Sequence, residues 1–418
     1  MLKRYKGTFF NTLMLYLLTA AKTIFPLITL PYLSRVLSVD CYGVVSYVKA
    51  VMSYVQITVD FGFLFSAVKE IVETEGNKRR ISEIIGETIV SKLLLSAVAF
   101  LVIVILGLNI DILRKNFLFL ILSTLVPVLS SFLMDFLFRG IEKMHIITFI
   151  FVIMKTVSTF LTIILIKGDT DVNLIPIFDI ISSLIAIIIS WIFVKKLGYG
   201  FKFTNLKNCL LKIKISFGYF ANSVASSAFG TLNTVLMGIF MKDTAQIAYW
   251  SVCMQMVGAV QNMYVPISNG IYPYMIKNKD TKLIKKIMLI FMPLILIGSG
   301  FCYILSPEIL GIVAGQNYIG AAYIFRLLLP VVILSFPVAI LGWPSLGAIG
   351  KIKEVTYSTL VGAVIQVLGL LLLALAGKFT LISLALLRSF SELSMLILRG
   401  YYFIKNKKEF NTISLKNE

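Results

Sequence analysis

The chain has 418 residues, of which 58% are hydrophobic and 14% are charged, and its mean hydropathy is +0.93. Soluble globular proteins have roughly 45–50% apolar and about 25% charged residues, so this composition excludes an ordinary soluble protein and favours an integral membrane protein. The net charge of +19 does not indicate a nucleic-acid partner, because Lys and Arg lie mainly in short segments between apolar runs, where they report membrane orientation.

Twelve apolar segments, each long enough to cross a bilayer as a helix, follow one another along the chain. The first extends to about residue 36, which is too long for the apolar region of a cleaved signal peptide, so we expect a retained span. Unbroken apolar runs such as 93–106 do not alternate as barrel strands would. We place the spans at 9–36, 44–66, 84–106, 116–138, 145–166, 172–194, 213–238, 246–275, 286–306, 318–341, 354–376 and 380–403.

Basic residues alternate between the two sides of these spans. With the N-terminus inside, 27 of the 39 Lys and Arg residues lie in inside segments and 6 in outside loops. We therefore expect an all-α integral membrane protein of about 12 transmembrane helices with both termini in the cytoplasm. The longest basic link, about 195–214, follows the sixth span and predicts two six-helix lobes, 1–198 and 199–418, as in transporters built from repeats.

Catalytic motifs are missing from the sequence. It contains no GxxxxGK[ST] motif, and its only histidine, His145, is isolated, which excludes a Ser-His-Asp triad. The four cysteines show no paired spacing. We expect no catalytic residue, no metal site and no cofactor, and therefore no enzyme.

Ten ionisable side chains lie inside the predicted spans, where each costs about 2.5–3.5 kcal/mol on insertion scales. The functional interpretation is a cationic cavity for an anionic substrate, with the carboxylates as proton- or ion-coupling groups. The alternative is a set of salt bridges that stabilise the fold, and for Arg388 and Glu392, four residues apart, both interpretations stay open. Lys49 and Asp60, eleven residues apart, lie on one helix face. The cavity candidates are Lys22, Lys49, Lys92, Lys155, Arg326 and Arg388, and the ion-coupling candidates are Asp60, Asp135, Asp179 and Glu392.

Three segments, in order, resemble the Wzx-type polysaccharide flippases, which belong with the MATE drug exporters to one exporter superfamily (MOP). They are PLITLPYLSRVLSVDCYGVVSYV (26–48), VDFGFLFSAVKEI (59–71) and FLFRGIEKM (136–144). The first contains Pro31, Arg35 and Gly43 at family positions, and the second has Lys69 where the family usually has Arg. The resemblance is sharpest over 8–145.

The resemblance implies a MATE-like fold and a flippase for undecaprenyl-diphosphate-linked oligosaccharides, such as O-antigen (lipopolysaccharide) or capsule repeat units. It implies ion-coupled alternating access from the cytoplasmic to the outer face of a bacterial plasma (inner) membrane. The implied partners are membrane lipid and the polymerase and chain-length regulator of the same pathway.

Two alternative functions stay open. A MATE-type multidrug antiporter has the same fold but should favour carboxylates in its cavity, because its substrates are mostly cations. A membrane glycan polymerase usually has a large outer loop, whereas the outer loops predicted here are short.

Overall fold

The computed structural model describes residues 2–74, 76–241 and 243–410, and within these ranges every extended regular element is helical. The chain divides into two compact units, Met1–Ser227 (unit 1) and Ala228–Glu418 (unit 2). Unit 1 therefore includes residues 199–227, which the sequence analysis assigns to the C-terminal lobe. The lobe boundary at 198/199 stays a prediction.

Unit 1 is built from long helices, two of which are interrupted. Its helices are α1 (Leu2–Val36), α2 (Val39–Asp60), α3 (Phe63–Glu73), α4 (Lys78–Asn109), α5 (Asp111–Lys115), α6 (Phe117–Ser130), α7 (Asp135–Gly140), α8 (Met144–Leu165), α9 (Leu174–Lys196) and α10 (Leu206–Ser227).

Unit 2 has the same all-helical character. Both units contain short 3₁₀ turns, and unit 2 also has a π-helical turn directly after α15. Its helices are α11 (Thr231–Phe240), α12 (Thr244–Asn278), α13 (Thr281–Ile304), α14 (Ser306–Val313), α15 (Ala322–Ile340), α16 (Ile352–Leu375), α17 (Leu381–Lys405) and α18 (Lys407–Phe410).

Ten helices or helix pairs of the described chain are long and apolar enough to cross a membrane, and the number is eleven if α10 and α11, which are bent by 67°, count as one broken span. The predicted span 246–275 corresponds to α12, which has 35 residues but is too polar to meet the same criterion. The all-α, multi-pass membrane architecture is confirmed, and about twelve helices remains close to the observed number. The expected cytoplasmic termini fall partly on residues 1 and 411–418, which lie outside the described residues, and stay a prediction.

Polar residues directly before several helices explain where these begin. Asn77 accepts hydrogen bonds from the first backbone N–H groups of α4, and Asp280 does the same for α13. Thr380 and Ser383 form a reciprocal capping box at the start of α17. These caps satisfy donors that a helix leaves unpaired at its first turn.

The apolar core of unit 1 lies where α3, α4, α7 and α8 meet, with Ile84, Ile85, Phe136 and Phe138 fully buried. In unit 2, α15 is the central helix and packs against α12, α13 and α17. Large aliphatic side chains such as Leu101 on α4 are exposed instead. Such surfaces suit lipid contact, because lipid tails are as apolar as these side chains.

Candidate functional site

A cleft of about 210 Å³ lies in unit 1 between α2, α6 and α9. One wall is apolar and includes Phe119 and Pro176. The polar lining consists of Lys49, Ser53, Gln56, Ser123 and Asp179. Two of these residues, Lys49 and Asp179, are candidates predicted from the sequence.

Lys49 supplies an ammonium group to the lining of this cleft. Within the described residues no carboxylate oxygen lies within 4 Å of its ammonium group, although Asp179 and Lys155 influence it electrostatically. Asp179 is already engaged, because it accepts the Ser158 hydroxyl at 2.6 Å and lies 3.6 Å from the Lys155 ammonium. Two lysines and one aspartate leave this part of the cleft with one net positive charge.

Two spans of unit 1 are interrupted beside the cleft. The span Val39–Glu73 breaks between α2 and α3 at Phe61 and Gly62, whose φ angles of 41° and 78° are left-handed. A side chain on Gly62 would overlap the Cβ atom of Tyr219 on α10, so only glycine fits there. A second span, Phe117–Gly140, breaks between α6 and α7 at residues 131–134. Because α2 packs against α6 and α3 against α7, the two breaks lie close together.

A second cluster of charges lies at these breaks. The Lys92 ammonium of α4 is 2.9 Å from the Asp60 carboxylate, which is the last residue of α2. The Gln56 amide donates to Asp60 at 2.8 Å and to the Ser130 hydroxyl at 2.9 Å. Gln56 also lines the cleft, so it connects the cleft to this cluster.

Asp135 begins α7 on the other side of the second break. In the part of the chain that the structure describes, its carboxylate makes no hydrogen bond and no ion pair within 4 Å, but Lys92, Lys22, Asp60 and Arg139 interact with it electrostatically. The Lys22 ammonium of α1 lies 5.6 Å from the centre of the Phe151 ring. Seven of the ten predicted residues therefore lie in unit 1, in two clusters linked through Gln56.

The other three predicted residues lie in unit 2. Arg388 and Glu392 are both buried and form the predicted pair within α17, at 2.6 Å, with the guanidinium over the Phe229 ring. Arg326 donates to the Tyr303 carbonyl at 2.9 Å and lies over the ring of the same residue. These contacts suit a stabilising role at least as well as a substrate-binding role.

Sequence analysis did not identify one further buried ionic network in unit 1. The Lys212 ammonium of α10 lies 2.8 Å from Glu70 of α3 and 3.5 Å from Glu87 of α4, and Arg80 also reaches Glu87 at 3.1 Å. Only 3% of the Lys212 side chain and 2% of the Glu87 side chain are exposed. One local signal was available, because Arg80 and Glu87 are seven residues apart and lie on one helix face. The Lys212 partners, over 120 residues away in sequence, gave none.

The link before α10 is fixed to the same end of α4. Lys202 donates its backbone N–H to the Ser82 carbonyl at 3.2 Å and pairs with Glu83 at 2.8 Å. A Cβ atom on Gly86 would overlap the Lys202 carbonyl, so the link lies directly on the helix backbone. α10 and its link thus belong to the packing of unit 1.

Comparisons with known proteins found sequence relatives and proteins of similar fold. Two curated relatives named "Putative O-antigen transporter" are 24% identical: one from Shigella dysenteriae over 86% of this chain and 91% of its own, and one from Escherichia coli strain K12 over 77% and 79%. The fold is similar to that of an inward-facing MATE family multidrug resistance transporter of the MOP superfamily, with a TM-score of 0.69 and 14% identity over 92% of this chain and 95% of that one. It is also similar to the lipid II flippase MurJ, with a TM-score of 0.70 and 13% identity over 97% and 90%.

The family model described as "Polysaccharide biosynthesis protein" matches residues 9–279. This match includes both broken spans, the cleft and every charged candidate of unit 1. The chain belongs to the polysaccharide biosynthesis protein family.

Proposed function

We propose that the chain is a flippase that moves lipid-linked oligosaccharides across the membrane, with an undecaprenyl-diphosphate-linked repeat unit as substrate. The observation that carries this proposal is Lys49, a cation in the cleft of unit 1 that has no ion-pair partner among the residues that the structure describes. The family match and the names of the two curated relatives support a polysaccharide-related substrate. The function is transport, without a covalent step.

The charge of the cleft suits a diphosphate better than a cation. Lys49 and Lys155 outnumber Asp179, and the Lys155–Asp179 pair leaves the Lys49 ammonium available to an anion. Charge-assisted hydrogen bonds between an ammonium and a phosphate are roughly twice as strong as neutral ones. The Lys49 ammonium would replace part of the hydration that the diphosphate loses on entering the membrane.

The size of the cleft limits what part of such a substrate it can hold. The cleft has about 210 Å³, below the roughly 300–1,000 Å³ of sites that enclose a whole small molecule. This volume suits the diphosphate rather than a whole repeat unit with its lipid. Ser53, Gln56 and Ser123 supply hydroxyl and amide groups of the kind that bind sugars and phosphates.

A MATE-type exporter of cationic drugs is the second candidate, favoured by the fold alone. A cation would meet Lys49 in the cleft, and the carboxylate there is already paired with Lys155. A drug-sensitivity panel on cells with and without the gene separates the two functions. Resistance that depends on the gene, together with unchanged surface glycan, would favour the exporter.

The first experiment is a gene deletion in the native host, followed by localisation of the lipid-linked repeat unit. We expect the repeat unit to accumulate on the cytoplasmic leaflet while surface polysaccharide is lost. Restoring the gene should restore both. Unchanged surface polysaccharide in the deletion strain would overturn the proposal.

Variants of Lys49 test the site itself in the complemented strain. We expect Lys49→Ala to lower the flipping rate about tenfold or more, because a charge-assisted contact contributes about 1.5–3 kcal/mol, and we expect Lys49→Arg to retain activity. Lys69→Ala is the matched control, since the Lys69 side chain is 70% exposed and pairs with Glu73 of its own helix. Equal flipping by Lys49→Ala and Lys69→Ala, at equal protein level, would remove Lys49 from the binding site.

The proposal extends to location and partners. It places the chain in the bacterial plasma membrane with both termini in the cytoplasm, in agreement with the distribution of basic residues. It also predicts that the polymerase and chain-length regulator of the same pathway receive the flipped repeat unit. Fusing a reporter that is active only in the cytoplasm to each terminus tests the orientation.

A further inference from the structure

The turn between α12 and α13 in unit 2 carries a concentrated positive charge. Five lysines fall within the ten residues 277–286, with one acidic residue, Asp280, among them. Four of these lysines are exposed and the fifth is partly buried. In the predicted orientation the turn lies on the cytoplasmic side of the membrane. The lysines are Lys277, Lys279, Lys282, Lys285 and Lys286.

The charge of this turn is not neutralised by neighbouring side chains. Among the described residues, no carboxylate oxygen lies within 4 Å of any of the five ammonium groups. Asp280 acts as the cap of α13, because its carboxylate accepts the backbone N–H groups of Lys282 and Leu283 at 2.7 and 3.3 Å. Lys202 in the link before α10, by contrast, pairs with Glu83 at 2.8 Å.

Three of the lysines lie where a helix disfavours cations. Lys282, Lys285 and Lys286 belong to the first turns of α13, at the positive end of the helix dipole, which stabilises anions. They are three and four residues apart, so their like charges are neighbours on the helix surface and repel one another. An anion bound over this surface would offset both unfavourable effects.

Beyond the lysines, α13 presents an apolar face to the lipid. Only 11% of its apolar stretch is buried, the lowest share among the ten candidate spans of the described chain. Ile284 and Ile287 are buried, and the Phe291 ring lies 5.7 Å from that of Phe336, so this face of α13 packs against α15. The opposite face carries Lys282 and Lys286, followed by the exposed Leu289, Ile297 and Ile304.

We infer that the α12–α13 turn and the lipid-facing side of α13 bind anionic phospholipid of the cytoplasmic leaflet. The phosphate groups contact the lysines at the start of α13, and the acyl chains lie along Leu289 and Ile290. At 1.5 Å per residue, Lys286 and Leu296 are about 15 Å apart, which is half the hydrocarbon thickness of a bilayer. Clusters of four to eight basic residues directly cytoplasmic of a membrane helix bind anionic lipid.

The shape of the cluster suits phospholipid better than the diphosphate of the proposed substrate. The cations are spread over both sides of the turn on mostly exposed side chains, which fits several headgroups that each carry one phosphate. Bound lipid would fix the depth of the least buried span through headgroups rather than through helix packing. The inference goes beyond the proposed function, because it does not depend on what is transported.

The test places a fluorescent reporter in the full-length protein beside the lysines. Leu289 is 77% exposed, so Leu289→Trp should leave the packing unchanged. The purified variant is reconstituted in phosphatidylcholine bilayers that contain brominated phosphatidylglycerol or brominated phosphatidylcholine, since bromine quenches a tryptophan that it contacts. The wild type gives the contribution of the three native tryptophans. We expect stronger quenching by brominated phosphatidylglycerol at equal mole fraction, and a preference that decreases as salt is raised.

Lysine variants in this reporter background test the contacts directly. We expect Lys282→Gln with Lys286→Gln to reduce the preference about fivefold or more, because each Lys near an anionic membrane surface contributes about that factor. Lys195→Gln with Lys196→Gln is the matched control, since it removes the same charge from two exposed residues at the end of α9. It should leave the preference unchanged.

Equal quenching by the two brominated lipids at low salt would overturn the inference, as would a preference that survives in Lys282→Gln with Lys286→Gln. Relief of the quenching by about one undecaprenyl phosphate per protein would assign this surface to the isoprenoid substrate and would also overturn it. None of these measurements involves transport. A failed lipid site is therefore distinguishable from a failed flippase, which the deletion strain reports separately.

Discussion

The buried network between Lys212 and Glu87 allows a quantitative test of how unit 1 is held together. Lys212→Met removes the ammonium and leaves Glu87, 2% exposed, with Arg80 at 3.1 Å as its remaining charged partner. Removing one member of a buried pair costs roughly 3–5 kcal/mol, and the remaining partner places the expected loss near 3 kcal/mol. Glu87→Leu should cost a similar amount, because the buried Lys212 then has one ion-pair partner, Glu70, among the described residues.

The double variant, Glu87→Leu with Lys212→Met, should lose much less than the sum of the single variants. It contains no uncompensated buried charge, since Arg80 and Glu70 are partly exposed and reach water. Apolar replacement of a whole buried pair is often neutral or stabilising. With about 3 kcal/mol for each single variant, we expect the double variant to lose about 3 kcal/mol or less, which is a coupling free energy of at least about 3 kcal/mol between the two positions.

Thermal unfolding with a thiol-reactive dye measures these differences. Cys209 of α10 is fully buried, and its carbonyl accepts the Ser91 hydroxyl at 3.0 Å, so its thiol becomes reactive only when this region opens. For a unit of this size 1 kcal/mol shifts the Tm by about 2–4 °C, so each single variant should lose about 6–12 °C. A double variant that loses the full sum of both shifts would refute the reasoning that the two charges compensate each other.

Two further predictions concern backbone contact and buried amides. Gly86→Ala should lower the Tm, because the added Cβ atom would overlap the Lys202 carbonyl. Gly218→Ala on α10 is the control: its Cβ atom meets open space, so the Tm should be unchanged or slightly raised. The same dye assay compares the two variants. Gln366→Leu should cost about 1–3 kcal/mol, since the Gln366 amide donates to buried Asn233 at 2.9 Å and the lost bond leaves that acceptor unsatisfied. An unchanged Tm in Gly86→Ala, or in Gln366→Leu, would contradict the corresponding packing argument.

The membrane spans could be predicted from the sequence because length and hydropathy determine them locally. The predicted spans 145–166 and 354–376 correspond to α8 and α16, whose ends are Met144–Leu165 and Ile352–Leu375. The breaks at Phe61 and at residues 131–134 were not predicted. The sequence stays apolar across both breaks, so hydropathy does not reveal them. The left-handed backbone at Gly62 is determined by the approach of Tyr219 from a helix more than 150 residues further along the chain.

Ion pairs could likewise be predicted from the sequence only where both partners lie on the same helix. The Arg388–Glu392 pair was predictable, because four residues make one helical turn and bring the two side chains together. Lys92 and Asp60, or Lys155 and Asp179, lie on different helices, and their spacing in sequence carries no information about contact. Depth in the membrane therefore identified which residues are costly, but the folded structure was needed to show that Lys49 forms no ion pair within the described part of the chain.

Two variants test whether flipping depends on the net positive charge near Lys49. Lys155→Ala removes one of two cations and leaves Asp179 unpaired near Lys49, so the net charge of the cluster falls from positive to neutral. We expect flipping to decrease in Lys155→Ala and to recover in part when Asp179→Asn is added, because the positive charge of Lys49 is then uncompensated again. Surface polysaccharide per molecule of transporter, measured in the complemented deletion strain, reports both variants. If Asp179 itself carries the coupling proton, the double variant must be worse than the single one, so the direction of this change decides between a binding and a coupling role for Asp179.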